Sequence, residues 1–307
     1  MRSTALHLET VLANALPLES LEVGLLGSVG CVLAQDVTIV EGDTEHVLIA
    51  KGTAIGARHI ALLAGENLGQ IWVHPKPRVV IVTVGSDLAD PGTPEDLHPD
   101  VNGIALTAAA TAAGAMTFRV GPLQSDPDLI RSTIEDQLVR ADVIITACGM
   151  NSGDYDMLTS VLRELGRVEI ARVNMTPGGA QGFGEIGPDS IPIFVLPGNP
   201  IASLLSFDIF VRPLLRRLMG HSKIHYRTIE ARLENTVEGA GDDARYIRAH
   251  TSRSGGVSTV RSVENSAEHP LAGLGTADSL IIVPANTSRV NAGETVKVLQ
   301  LESLGDE

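Results

Sequence analysis

Two stretches decide the fold, Thr146-Ala-Cys-Gly-Met-Asn-Ser-Gly-Asp-Tyr-Asp156 and Leu196-Pro-Gly-Asn-Pro200. Each follows an apolar, β-branched run, Asp142-Val-Ile-Ile-Thr146 in the first case and Ile191-Pro-Ile-Phe-Val195 in the second. Each therefore reads as a buried parallel strand ending in a turn that opens a helix. Such a turn leaves backbone N–H groups free above the strand end, which suits an anion and a phosphate above all. Two of them in one α/β unit imply a phosphate-bearing small ligand.

Outward from these turns, residues 78–220 alternate as a β/α layered unit. Strands are expected over 79–83 and 116–120 and around Val143 and Ile193, with a β-rich stretch over 168–175. Helices are expected over 101–113, 126–138, 157–165 and 201–219, with Ser125 or Asp126 as N-cap of the second and Gly166 ending the third. Asp154 and Asp156 then read as caps of the third helix, and Arg212, Arg216 and Arg217 as a solvated face or interface of the last. Cys148, at a buried strand end, reads as a small core residue.

Before this unit, apolar residues at helical spacing (Leu6, Leu8, Val11, Leu12, Leu16) precede a strand at 21–23 and short β pieces such as 47–49. A short buried helix is expected around 60–63, and the two prolines of His74-Pro-Lys-Pro77 mark a boundary. After residue 220, short strands and turns predict a small all-β domain or open barrel, closing with strands at 279–283 and 294–298. The acidic group Glu238, Asp242 and Asp243 reads as a loop. The expected organisation is an N-terminal helical and β region (1–75), an α/β domain (76–220) and a C-terminal β domain (221–307).

Composition bounds the function. The chain has 307 residues, room for two or three domains, and Asp plus Glu exceed Lys plus Arg by 37 − 23 = 14. That balance argues against nucleic acid or an anionic membrane as the main partner. No apolar run approaches the roughly 18 residues of a spanning helix and MRSTALHLET lacks an apolar signal core, so a cytoplasmic protein is expected. Cys31 and Cys148 have no metal-ligand spacing, and His98, His221 and His225 lack partners at ligand spacing.

The residues resemble the molybdopterin molybdenumtransferases (the MoeA family), which include the E-domain of gephyrin. The resemblance rests on PRVVIVTVGSDL, Asp100-Val-Asn102, SDPDLIRSTI, ADVIIT, GDYD, TPGG, GFG and LPGNPIASLLSFDIFVRPLLRRLMG, in that order. It extends more weakly to GCVLAQDV near the N-terminus and to Arg245-Tyr-Ile-Arg248 and Ala292-Gly-Glu-Thr-Val296. It implies a three-layer, MogA-like molybdopterin-binding α/β domain, an N-terminal helical and β region and a small C-terminal β-barrel domain. It also implies binding of molybdopterin or adenylylated molybdopterin, with magnesium bridging phosphates, molybdate insertion during molybdenum cofactor synthesis, and a homodimer.

The resemblance is incomplete. Only about forty residues, 38–77, stand where family members carry an extra β-rich lobe, which supplies an acidic residue of the family's site. The Thr-Gly-Asp-Glu-Leu run reads Val84-Gly-Ser-Asp-Leu88, and the acidic position before Asp126 is Ser125. One functional Lys position reads Arg172; the Lys-Pro-Gly-Lys turn has Thr176 and Gly179 in place of its lysines. Each lost lysine removes on the order of 1.5 to 3 kcal/mol of charge-assisted bonding to phosphate, so little or no insertion is expected.

By the resemblance, Gly85, Ser86, Gly149, Asn151, Ser152, Gly153, Pro197, Gly198 and Asn199 bind the cofactor phosphate, Asp156 and Asp87 act in catalysis, and Asp156 holds the metal. Two functions stay open: a molybdopterin-binding protein of cofactor synthesis with a degraded catalytic set, or an inactive gephyrin-like dimeric scaffold for a partner protein or peptide.

Overall fold

The computed structural model describes residues 1–41, 44–93, 96–149, 152–263, 269 and 271–301. Its centre is a six-stranded sheet in the order Gly166–Arg172, Ala180–Ile186, Ile191–Leu196, Val143–Cys148, Arg78–Val84, Met116–Leu123. The last four strands are mutually parallel, and Ala180–Ile186 runs antiparallel to both of its neighbours. Side chains alternate across the pleat. Val79 and Ile81 join Leu106, Phe194, Phe210 and Leu214 in one core, whereas Val80 and Val82 join Ile130, Ile134, Leu158 and Leu162 in another. Both faces are thus buried, as the unbroken apolar runs require, and three layers result.

Capping residues set the helix starts. Asp100 opens Val101–Ala112, Asp126 opens Pro127–Leu138 and Asn199 opens Pro200–Ser206, each accepting first-turn N–H groups through its side chain. The last of these continues through a π turn, Phe207–Val211, into Arg212–Leu218. Two expectations need correction. The third helix spans Ser152–Leu165, so Asp154 and Asp156 lie inside it and do not cap it. Arg212 is not on a solvated face: it is 2% exposed, its guanidinium carbon lies 3.8 Å from the Tyr226 ring centroid, and it donates to the Ile224 carbonyl.

At the N-terminus, Leu21–Gly24, Gln70–His74 and Val32–Leu33 make a three-stranded sheet over its own core, which includes Leu63 of the Ala57–Gly65 helix. A hairpin, Val37–Glu41 with Thr44–Ile49, projects from it. The first helix, Thr4–Leu12, packs instead on the α/β domain, with Val11 in its core and His7 edge-on to Phe210 at 4.7 Å. At the other end the β domain is a closed barrel. Ala244–Ser254 is long enough to pair with both Val257–Ser262 and Ser279–Val283, and Arg227–Leu233 and Thr295–Gln300 complete the circuit. Among the described residues no helix is long and apolar enough to cross a membrane.

Candidate functional site at the strand ends

The parallel strands deliver their carboxyl ends to one edge of the sheet. There the turn at Gly85–Asp87, the turn beginning at Gly149 and the turn Pro197–Asn199 meet. Gly149 N donates to the Val84 carbonyl at 3.1 Å, and a Cβ placed on Gly198 would stand 2.3 Å from the Gly149 carbonyl oxygen. Only glycine permits that approach. Asn102, 6% exposed on the Val101–Ala112 helix, joins the two turns: its Nδ2 donates to the Gly198 carbonyl at 2.7 Å and to the Cys148 carbonyl at 3.2 Å. Two carbonyl partners fix the amide orientation. Oδ1 of Asn102 is left buried without a partner among the described residues.

Beneath the first turn lies a buried ionic network. Asp100, 1% exposed, accepts from Thr83 Oγ1 at 2.7 Å, from Gly103 N at 2.8 Å and from Arg119 Nη2 at 2.8 Å. Arg119 also donates to the exposed Asp90 at 2.5 Å. The loop leaving the site is thereby tied to the sheet.

A second network joins the first turn to the Ser152–Leu165 helix. Ser86 N donates to Ser125 Oγ at 3.2 Å, Ser125 N donates to Ser86 Oγ at 2.9 Å, and Ser125 Oγ donates to Asp154 Oδ1 at 2.5 Å. Asp154 is 5% exposed and its other oxygen has no partner among the described residues; nor has Oδ1 of Asp87, which faces Gly85 and Gly149. Unpaired buried carboxylate oxygens are costly unless a cation or a donor meets them. From the sequence Asp154 read as a cap and Ser125 as a missing acid or an N-cap, a place that Asp126 takes; neither was read as partner of the other.

Of the residues assigned from the sequence, Gly85, Ser86, Asp87, Gly149, Pro197, Gly198 and Asn199 come together here. Gly153 and Asp156 are exposed on the adjoining helix. Asn151 lies outside the described residues, as does the side chain of Ser152. Cys148 is buried, and burial, reinforced by Asp154, pushes its thiol up to about 12, so it stays protonated and unreactive. Among the described residues no three or more His, Cys, Asp or Glu side chains gather as metal ligands. At this edge the N–H groups of Gly85, Ser86 and Gly149 are taken by the Leu123 carbonyl, Ser125 Oγ and the Val84 carbonyl, while Asp87 and Asp154 each keep a buried oxygen without a partner among the described residues.

Residues 80–217 match the family model of a probable molybdopterin binding domain, and residues 230–301 that of the MoeA C-terminal region (domain IV). The chain is similar to molybdopterin molybdenumtransferase 1 of Mycobacterium tuberculosis, with 36% identity over 268 residues covering 84% of this chain and 62% of that protein. It is similar to molybdopterin molybdenumtransferase 2 of the same organism at 31% identity over 264 residues, covering 83% and 64%. The chain thus spans somewhat under two thirds of the length of these curated relatives. A molybdopterin biosynthesis MoeA protein from Pyrococcus horikoshii shares the fold, with a TM-score of 0.83 at 19% identity, covering 98% of this chain and 99% of that one.

Proposed function

Because the chain belongs to the molybdopterin molybdenumtransferase (MoeA) family, we propose that its strand-end turns bind the phosphate of molybdopterin or adenylylated molybdopterin within molybdenum cofactor biosynthesis. The observation that carries this reading is the junction of the Gly149 and Gly198 turns under Asn102. Backbone N–H groups of Asp87, Gly198 and Asn199 hold the phosphate, those of Gly85, Ser86 and Gly149 being donated to the Leu123 carbonyl, Ser125 Oγ and the Val84 carbonyl, and the buried Asn102 keeps the turns in register. Asp156, exposed one turn into its helix, contacts the pterin. A magnesium ion, when bound, would neutralise phosphate charge, with Asp156 the carboxylate that would hold it beside phosphate oxygens, since no three acidic or imidazole side chains converge among the described residues.

Molybdate insertion is weak or lost in this reading. Ser125 supplies a hydroxyl already engaged with Asp154, Thr176 and Gly179 supply no cation, and Arg172 is paired with Asp243. Catalysis by positioning and charge tolerates such losses badly. The test is calorimetric titration with molybdopterin and its adenylylated form, with and without magnesium, with Asp156→Ala alongside. Saturable binding that the substitution weakens, without molybdate insertion, is the expected result; no binding by the folded protein would sink the reading.

A second reading is favoured by one groove. A cavity of about 530 Å³ lies between the first helix and the barrel, lined by Leu8, Ile209, Tyr226, Tyr246, Ile282 and Leu299 among others. A dimeric scaffold that takes an apolar peptide there fits this surface. Exposed Leu26 and Trp72 of the N-terminal region suit the subunit contact of the homodimer. Light scattering reads the oligomeric state. Leu8→Asp, which blocks peptide capture without touching the strand ends, separates the two readings.

A further inference from the structure

Arg119 sits on the edge strand Met116–Leu123 and joins two segments that reach the strand-end turns from different sides. Its Nη2 donates to Asp100 Oδ2 at 2.8 Å and to Asp90 Oδ1 at 2.5 Å. Asp100 caps the Val101–Ala112 helix by accepting from Gly103 N, and the first turn of that helix carries Asn102, the donor to the Gly198 and Cys148 carbonyls. Asp90 follows Leu88–Ala89, which leaves the Gly85–Asp87 turn and pairs with His98–Pro99. His98 N donates to the Asp87 carbonyl and Asp100 N to the Ala89 carbonyl, each at 2.8 Å, so the base of this loop closes back on the turn. One guanidinium nitrogen therefore stands between the turn that carries the Asp87 N–H and the helix that spaces the other two turns.

Taken alone, each part of this arrangement works against stability. Gly103 lies inside its helix, where glycine is a poor former. A Cβ there would stand 2.1 Å from Asp100 Oδ2 and 2.7 Å from Arg119 Nε, so the bare backbone is what admits the ion pair. The Asp100 side chain is buried and that of Arg119 mostly so, and the desolvation of both charges offsets much of their attraction. Arg119 Nε is buried without a partner among the described residues. The bond to the exposed Asp90 adds little to stability. A helix glycine, a desolvated ion pair and an orphaned donor thus meet at one point behind the site.

We propose that Arg119 is a positioning residue for the strand-end site: through Asp90 it holds the turn that bears the Asp87 N–H, and through Asp100 it holds the helix that bears Asn102, so that the phosphate donors of separate turns are aimed at one point before ligand arrives. The inference rests on the phosphate-binding reading above and names the residue that presets that site. Donors aimed in advance bind an anion better because little ordering is left to the binding step. Arg119 acts through the two carboxylates and does not itself contact phosphate.

The sign of one substitution separates positioning from charge. Asp90→Ala removes a negative charge from the loop that leaves the site, and by charge alone an anion would then bind more tightly. Lost positioning has the opposite effect. Molybdopterin, titrated calorimetrically into the full chain, is expected to bind Asp90→Ala about three- to ten-fold more weakly than the parent. Asp90→Glu keeps the carboxylate and restores most of the affinity, and Arg119→Lys, charged but shorter, falls between the two. Without ligand, the nitrogen chemical shift of the Asn102 side-chain amide reports the same geometry, moving in Asp90→Ala and returning toward the parent value in Asp90→Glu. Equal or tighter binding by the folded Asp90→Ala variant overturns the positioning role and leaves the functional reading standing. If the parent binds no molybdopterin, the functional reading falls and the Asn102 signal decides the positioning role: a shift in Asp90→Ala supports it, and an unmoved signal overturns it.

Discussion

Asn102 and Gly198 are 96 positions apart in the chain and 2.7 Å apart in the fold, joined by a hydrogen bond from the buried side-chain amide to the backbone carbonyl. The same amide reaches the Cys148 carbonyl, so one side chain from a helix sets the spacing of two strand-end turns. Asn102→Ala leaves both carbonyls without this donor. It is expected to cost about 1 to 3 kcal/mol of stability, read by urea unfolding, and to weaken cofactor binding. A variant with parent stability and parent affinity would remove Asn102 from the site.

The two carboxylates that hold Arg119 differ in burial, and their removal should differ in cost. Asp100→Ala strips three donors of their buried acceptor and leaves the guanidinium without its buried partner, a loss of about 3 kcal/mol or more. Asp90 is 60% exposed, so Asp90→Ala is expected to cost less than about 1 kcal/mol. Equal costs in denaturant titrations would contradict the burial argument.

Gly198 and Gly149 face each other unequally. A Cβ on Gly198 meets the Gly149 carbonyl at 2.3 Å, and that oxygen belongs to backbone that cannot rotate away. A Cβ on Gly149 finds nothing nearer than 3.4 Å. Gly198→Ala is expected to force the turns apart at a cost of about 1 to 3 kcal/mol and to abolish phosphate binding, whereas Gly149→Ala is mild. Calorimetry on the pair, with circular dichroism to confirm folding, reads the contrast.

The sheet and its caps were legible because their causes are local. Val79 to Val82 is an unbroken apolar run that only a strand buried on both faces can use, and Asp126-Pro127 and Asn199-Pro200 carry their own helix starts. The misreadings depend on partners remote in sequence. Ser152-Gly-Asp-Tyr-Asp156 has the composition of a turn, yet the helix begins at Ser152, and Asp154 is buried because Ser125 stands beside it. Arg212 looks like a surface charge until Tyr226 is folded over it. Asp243 reads as one of several loop acids, and nothing local marks Arg172 as its partner 71 positions away. Closure of the barrel depends on the 11-residue length of Ala244–Ser254, which local turn signals do not report.

His7 makes the stability of the fold depend on pH. It is 2% exposed on the first helix, edge-on to Phe210, and its Nδ1 has no partner among the described residues. Burial above all, with Arg2 adding to it and Glu169 opposing, lowers its pKa from the ordinary 6.5 to about 4. The unfolded chain therefore binds a proton between these values that the folded chain does not. Stability contributed by neutral His7 is complete above pH 6.5 and declines as pH falls toward 4, by about 3 kcal/mol across the whole window. Other groups titrate in the same range, so the relevant comparison is between variants: His7→Phe keeps a ring against Phe210 and removes the proton site. Urea midpoints for parent and His7→Phe at pH 7 and pH 5 should diverge, with the parent losing more on acidification. Parallel losses would place the acid sensitivity elsewhere.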